Sequence, residues 1–533
     1  MNNDDILETL ELTAKLMELH NENPFKIKAY ANAAYKLSKL RFDFEGKSKE
    51  DIESIEGIGK SIASKIFELI STSTTTEFSE LLGRTPDGVI KMLGIKGLGP
   101  KKVRQLWQEL SVESVGELLY ACNENRLITL KGFGEKTQLQ VKEAIEFKVS
   151  NEKKFHYAQV EKPVMALIQE IEKKNNRMQI TAVGQISRKC DVINKIEILV
   201  DRILNSDISL ANYNIPLPVD FIYCEPAEFS YKSVEFSSTA QHLEKINFSS
   251  LSKKEFSTES DVYRELGLQF IEPELREGLA ESDLARINKI PKLIKLSDLT
   301  GVLHNHTTYS DGIHTLKEMA DYCRSLGYGY LGICDHSKSA FYAQGMSIER
   351  VIEQQNEIDK INSTFNDFRI LKGIESDILN DGSLDYPEEI LKTFDFIVAS
   401  IHSNLKMDEA KATMRLIKAV ENQYTSILGH PTGRLLLARK GYPIDHKKVV
   451  DACAANNVSI ELNAHPYRLD IDWRWIPYCV EKGVMISINP DAHHRDGFHD
   501  MYYGVCAARK GMLSKENCLN ALTLREFEMK MKK

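Results

Sequence analysis

Beyond residue 300 the chain alternates short apolar runs with amphipathic stretches. Runs such as YLGI, FIVAS and MISI are followed by the patterns TLKEMADYCRSLG, ERVIEQQNEIDKI, EAKATMRLIKAVEN and DHKKVVDACAANN. Apolar runs of strand length that give way to a helical period predict repeated βα units around a parallel sheet. The first 150 residues read differently. DILETLELTAKLMELH and PFKIKAYANAAYKLSKL carry a helical period, and glycine pairs punctuate the segments that follow.

The ends of the apolar runs carry the chemistry. His304, His306 and Asp311 lie in GVLHNHTTYSDG, His336 closes YLGICDH and Glu375 closes FRILKGIE. His402 closes FDFIVASIH, His430 closes TSILGH, and Asp491 and His493 lie in MISINPDAH. In a βα barrel the C-terminal strand ends converge on one face, so residues far apart in sequence can meet there. Histidine with carboxylates and no thiolate suits Zn, Mn or Fe. Metals so held acidify a water and clamp the oxygens of a displacement at phosphorus, which points to phosphoester hydrolysis. A lone histidine after a strand is more often a satisfied polar residue than a ligand. Nine such residues are harder to set aside, because eleven of the fourteen histidines lie beyond residue 300. His314, His446, His494 and His499 are read as structural or surface residues, and His465 in ELNAHP as a residue that either supports the ligands or does not touch them.

Composition narrows the partners. The 533 residues suffice for about three or four domains, and 42% hydrophobic with 27% charged residues is ordinary for a globular protein. Nine dispersed cysteines without a Cys-x-x-Cys pair indicate neither a disulfide framework nor a zinc ribbon. The acidic MNNDDILETL start and the lack of any membrane-length apolar run predict a cytoplasmic chain with no membrane partner. A net charge of −8 argues against a uniformly basic nucleic-acid binder, so any DNA contact must be local.

Local contacts of that kind are visible near the N-terminus. Gly57, Gly59 and Lys60 lie in IEGIGKSIASKI; Gly97, Gly99, Lys101 and Lys102 in LGIKGLGPKKVRQLW; Gly132, Gly134 and Lys136 in LKGFGEKTQLQV. Each glycine pair makes a tight turn whose following helix presents free N–H groups to an anion, and the lysines add charge. One such turn is usually only a turn. Three within about eighty residues form a repeat of the helix-hairpin-helix type, which holds DNA backbone without reading bases. Lys26, Lys28 and Lys36 either line a DNA path or belong to solvated faces.

HNHTTYSDG, CDHS, GIESDI, ASIHSN, GHPTGR and NPDAHH resemble, in order, the motifs of the PHP (polymerase and histidinol phosphatase) domain. The resemblance implies a distorted (β/α)7 barrel with up to three metals, held by His304, His306, Asp311, His336, Glu375, His402, His430, Asp491 and His493. It also implies a role for Arg434 in GHPTGR, either a substrate phosphate contact or a structural salt bridge. NPFKIKAYANAAYKL and GIGKSIASKI at one end, and FIEPELREG with KIPKLIKLSDLTGVLHNH further on, resemble the bacterial family X DNA polymerases with a C-terminal PHP domain. In that comparison Lys65 falls on the Schiff-base lysine of the lyase-type members, although Ser61 replaces a neighbouring family lysine and a plain phosphate-binding or exposed lysine is the alternative.

The polymerase motif itself departs from the family. In AVGQISRKCDVINKIEILVD, Gly184 is kept, Gln185 replaces a serine, and Ser187 and Arg188 stand where the family has paired arginines. The two metal aspartates fall on Lys195 and Glu197, while Asp220 matches the third carboxylate. A protonated lysine cannot coordinate Mg2+, and nucleotidyl transfer needs those metals. Recruitment of Asp191 as a substitute would shift the strand register.

The expected architecture is therefore multidomain, α and α/β. It has a helical lyase-like domain at 1–80, a helix-hairpin-helix region at 81–150, a degenerate α+β palm and thumb at 151–260, a linker at 261–299 and a PHP barrel at 300–533. The expected function is DNA repair: Mn2+ or Zn2+ dependent 3′→5′ hydrolysis of gapped or 3′-ended DNA, with Fe also compatible and Mg2+ in the palm not expected. The nucleophile is a metal-bound hydroxide, and no protein general base is named. The alternatives are a working gap-filling polymerase with an accessory nuclease, a small-molecule phosphatase of the histidinol-phosphatase kind, and a DNA-binding scaffold.

Overall fold

The computed structural model describes residues 3–39, 44, 47–55, 57–124, 126–175, 177–203 and 210–532. It divides into two units, Met1–Glu152 and Lys153–Lys533. The first unit is helical, and its three glycine pairs share one geometry. Gly57, Gly97 and Gly132 have φ of +84°, +94° and +88°, a region other residues enter only with strain. Gly59, Gly99 and Gly134 are extended and precede the helices Lys60–Thr72, Pro100–Leu110 and Glu135–Asn151, none of which has a side-chain cap. The residue between each pair (Ile58, Leu98 or Phe133) is buried in a single apolar core, so each turn is nailed down by its middle side chain.

The second unit begins with strands β1 (Phe155–His156) to β5 (Val219–Tyr223). β2 (Ile180–Val183), β4 (Ile196–Val200) and β5 form a small sheet, with β2 antiparallel to β4 and β4 parallel to β5. The helix Tyr157–Lys174 packs on it through Val160, Val164, Leu167 and Ile171, and β1 pairs with β3 (Val192–Ile193). Residues 261–299, expected as a linker, are not an extended connection. Val262, Tyr263, Ile271, Leu275, Ala285 and Leu293 share a core with Tyr231, Val234 and Phe248. That core encloses the Arg276 guanidinium, paired with Glu259 at 2.5 Å and with the Ser237 hydroxyl at 2.9 Å.

Seven parallel strands then follow: β6 (Gly301–Asn305), β7 (Tyr330–Ile333), β8 (Arg369–Asp377), β9 (Phe396–Ser400), β10 (Ile427–Leu428), β11 (Ser459–Asn463) and β12 (Ile486–Asn489). They are hydrogen-bonded in chain order, and the circle is nearly closed by a bridge between Asn305 and Ala492, where the His306 N–H donates to the Ala492 carbonyl at 2.9 Å. The helices Leu316–Ser325, Ile348–Asn362, Glu409–Val420 and His446–Asn456 occupy the four stretches that the helical period marked. Alternation along the strands separates two cores. Val302, Leu331, Ile370 and Ile397 face the helices, whereas Leu303, Tyr330, Leu371, Phe396 and Ile427 fill the interior. Phe527, on the final helix Leu524–Met531, lies against Tyr330 and Phe396, the first residues of their strands, and so seals the bottom. The apolar filling forces polar groups to the other end. Among the described residues no helix is long and apolar enough to cross a membrane, and all nine cysteines are free thiols.

Candidate metal centre

At the C-terminal strand ends the nine histidine and carboxylate residues converge. Glu375, at 1% exposure, is the hub: His304, His336, His402 and His430 place ring nitrogens 3.3, 2.9, 3.1 and 3.0 Å from its carboxylate. Asp491 lies 3.0 Å from His306 and 3.7 Å from His304, and Asp311 lies 3.3 Å from His493 and 3.7 Å from His336. Three overlapping groups bring ligand atoms within 4.8 Å of one another: His306, Asp311, His336 and His493; His304, His306 and Asp491; and His336, Glu375 and His402. His430 joins the hub through Glu375.

The donor chemistry fits cations. His304 Nε2, His306 Nδ1, His336 Nδ1, His430 Nδ1 and Glu375 Oε2 are buried without an aligned hydrogen-bond partner. Such orphaned groups are costly unless something binds them. Burial pushes the Glu375 carboxyl up, but His402, His304 and His336 outweigh it and hold it well below the carboxylate range. Burial and the neighbouring His493 and His336 push the His306 imidazole down to about 3, so it is neutral and ready to donate a lone pair. The backbone is also strained here. His304, His430 and Asp491 have φ of +57°, +20° and +52°, conformations that cost about 1–3 kcal/mol each and persist where the surroundings enforce them.

A second set of side chains, which the spacing of the motifs did not reveal, orients the first. Glu461 on β11 accepts from His304 Nδ1 at 2.6 Å and from the His430 backbone N–H at 3.2 Å. Asp377 on β8 lies 2.6 Å from His402 Nδ1. These carboxylates fix which nitrogen each imidazole turns inward. Arg468 donates to Asp491 at 2.8 Å. Their only sequence signal is position: Asp377 follows Glu375 by two residues at the end of β8, and Glu461, in the middle of β11, precedes His465 by four. His465 lies beside Tyr467 rather than in the three groups, and its ring nitrogen accepts from the Tyr467 N–H at 3.3 Å.

The remaining sequence candidates lie apart from the ring. Arg434 is 16% exposed, and its guanidinium is held by Asp472 at 2.6 Å, by Asp191 at 3.6 Å and by the carbonyls of Arg468 and Leu469. Asp191 is thus turned toward the barrel, away from the palm carboxylates. There, Glu197 and Asp220 are register partners on β4 and β5, and the Lys195 ammonium lies 2.7 Å from the first and 3.6 Å from the second. Gln185 accepts from the backbone N–H groups of Asn194 and Lys195. Gly184 has φ of +63°, a conformation that favours glycine. In the helical unit, Lys65 pairs with Glu68 at 2.9 Å and Lys60 with Glu53 at 3.7 Å. Lys102 donates to the Gly97 carbonyl at 3.4 Å, while Lys101 and Lys136 lie in the first turns after Gly99 and Gly134.

Known proteins match each part of this arrangement. Residues 1–75 match the model of a helix-hairpin-helix domain, 89–146 that of a SAM-like helix-hairpin-helix tandem and 303–465 that of the PHP domain. "Probable phosphatase" proteins of Acetivibrio thermocellus and Clostridium acetobutylicum are each 31% identical, covering 36% of this chain and 78% of theirs. The "DNA polymerase/3'-5' exonuclease PolX" of Bacillus subtilis is 32% identical over the full length of both chains. A helical hairpin unit, a small palm-like sheet and a seven-stranded PHP barrel, matched end to end in this way, make the chain a member of the PolX family.

Proposed function

We propose that this chain is a DNA 3′→5′ exonuclease of the PolX type, whose reaction takes place at the PHP barrel and whose palm no longer transfers nucleotides. The observation that carries it is the contrast between the ring around Glu375, where histidine and carboxylate ligand atoms gather within 4.8 Å of one another and several lack an aligned hydrogen bond, and the palm pair, which already holds an ammonium. His304, His306, Asp311, His336, Glu375, His402, His430, Asp491 and His493 would hold up to three divalent ions, Mn2+ or Zn2+ being suited to these donors. Such ions supply an acidified water and neutralise charge on a phosphodiester. The chain's own residues do the rest. Glu461 and Asp377 keep His304 and His402 aimed inward, and Arg468 places a guanidinium beside Asp491 at the rim, where a phosphate's charge would be met. The three hairpin turns, with free helix N-termini and nearby lysines, would grip the DNA backbone without sequence preference. Free thiols throughout suit a reducing cytoplasm.

The phosphatase reading has one observation in its favour: the barrel relatives named as probable phosphatases. The hairpin tandem argues for DNA. The test uses purified protein with an end-labelled gapped duplex and Mn2+, with and without dNTPs, beside a His304→Ala, His306→Ala variant and a small phosphomonoester. Shortening of the strand that vanishes in the variant supports the proposal. Extension with dNTPs refutes the silent palm, and an inert duplex with a cleaved monoester refutes the nuclease.

A further inference from the structure

One loop at the barrel mouth has a construction that metal binding does not require. After His336 the chain makes a tight excursion and returns at Met346. Both ends are tied to the ring: the Ser337 N–H donates to the Glu375 carbonyl at 3.0 Å and the Met346 N–H to the His336 carbonyl at 2.9 Å. The excursion is pinned across its base by the Gly345 N–H on the Ala340 carbonyl at 3.1 Å and by the Ser339 N–H on Asp385 at 2.7 Å. Gly345 passes so close to Ser337 that a Cβ would lie 2.0 Å from its carbonyl oxygen. Ala340, Ala343 and Met346 are fully buried, so the loop has an apolar underside of its own.

Its two largest side chains point the other way. Phe341 is 87% exposed and Tyr342 60% exposed, although exposed aromatic carbon is unfavourable in water and adjacent small residues take the buried positions. The Tyr342 ring lies 6.1 Å from the His336 ring and 6.3 Å from the His402 ring. That separation is comparable to the distance between a nucleotide's phosphate and the base it carries.

Resting on the exonuclease reading above, we infer that Phe341 and Tyr342 form a stacking platform for unpaired bases at a DNA 3′ end, which makes this phosphodiesterase site select nucleotide ends over other phosphate esters. Every base presents a π-face, so the platform is indifferent to sequence, in keeping with backbone-only contacts elsewhere. A rigid loop suits the task, because rings held in place lose little freedom when a base arrives.

The test compares kcat/KM on two single-stranded oligonucleotides, one with a normal 3′-terminal nucleotide and one with a tetrahydrofuran abasic residue there. The wild type should prefer the base-bearing end by about tenfold or more. A Phe341→Ala, Tyr342→Ala variant should lose that preference, and a Phe341→Tyr, Tyr342→Phe variant should keep it. Phe341→Ala alone, which removes an almost wholly exposed ring, should lose part of it even if the double variant folds poorly. Equal wild-type rates on the two ends, or a preference that survives the alanine substitutions, would overturn the inference and leave the aromatic pair as a docking surface for another chain. If the wild type shortens neither oligonucleotide, the exonuclease reading itself fails and the platform with it.

Discussion

The barrel ring and the palm pair are two answers to one problem, the gathering of carboxylates. In the barrel, Glu375, Asp311 and Asp491 are surrounded by imidazoles, and several of the ligand atoms gathered within 4.8 Å of one another lack an aligned hydrogen bond. In the palm, Glu197 and Asp220 stand on adjacent strands and a single flexible ammonium lies between them. The first arrangement could take up added cations, while the second brings its own. A lysine reaching two carboxylates is a local solution to their repulsion.

The largest effect should come from the ring. His304→Ala with His306→Ala should lower nuclease kcat by at least about a thousandfold and reduce bound metal, read by elemental analysis, while Lys195→Ala leaves nuclease activity within about twofold. A Lys195→Ala variant with equally impaired strand shortening would erase the distinction between the two regions. Glu461→Gln tests the support beneath His304. A weaker acceptor there should reduce metal affinity by about 10- to 100-fold with the fold intact by circular dichroism; unchanged affinity would show that Glu461 is not needed to aim the imidazole.

Acid–base behaviour sharpens the contrast further. Burial lowers the proton affinity of His402, but Glu375 and Asp377 outweigh it and raise the imidazole from 6.5 to about 10. His493 is likewise raised to about 9, its burial outweighed by Asp311 and Asp491. The burial of His304 is outweighed in the same way by Glu461, Glu375 and Asp491, which raise it well above its ordinary value, so without metal all three rings carry protons at neutral pH. Their contribution to stability is fully present below the ordinary value of 6.5 and fades as pH climbs toward 9 and 10. Cations must displace those protons, so metal affinity should rise over the same interval. Titration calorimetry in two buffers of different ionisation enthalpy should report release of about three protons, from His304, His402 and His493, on metal binding near neutral pH; no release would contradict the assignment of these imidazoles as ligands. The smallest effect belongs to the palm. Lys195 is 53% exposed, and pairs of that kind are worth about 0–1 kcal/mol, so Lys195→Met should move the urea midpoint only slightly.

Much of the barrel was legible because its strands are continuous apolar runs and its ring residues sit where those runs stop. The four surface helices followed from period alone. The hairpins were legible because only glycine fits their positive φ, at Gly57, Gly97 and Gly132. Other features left no local trace. Glu461 resembles any strand residue until the barrel brings it under His304. Residues 261–299 pack through an apolar core around the Arg276–Glu259 pair, a pairing that periodicity does not encode. Arg434 shows the limit of motif transfer: the sequence left phosphate contact and salt bridge open, and only the fold places Asp472 and Asp191 beside its guanidinium.

The contact between palm and barrel carries a last consequence. His156 stacks on Tyr467 at 4.1 Å and hydrogen-bonds the Leu436 carbonyl at 3.0 Å, and Asp191 faces Arg434. The Lys510 ammonium is buried against Glu277 and the Arg188 carbonyl, each at 2.7 Å. Excision of residues before the barrel would strand the buried Lys510 ammonium by removing Glu277, and would take Asp191 from Arg434 while leaving it Asp472 at 2.6 Å. The small sheet is therefore bound to its neighbour as a keystone is to an arch, by contacts that its removal would leave open.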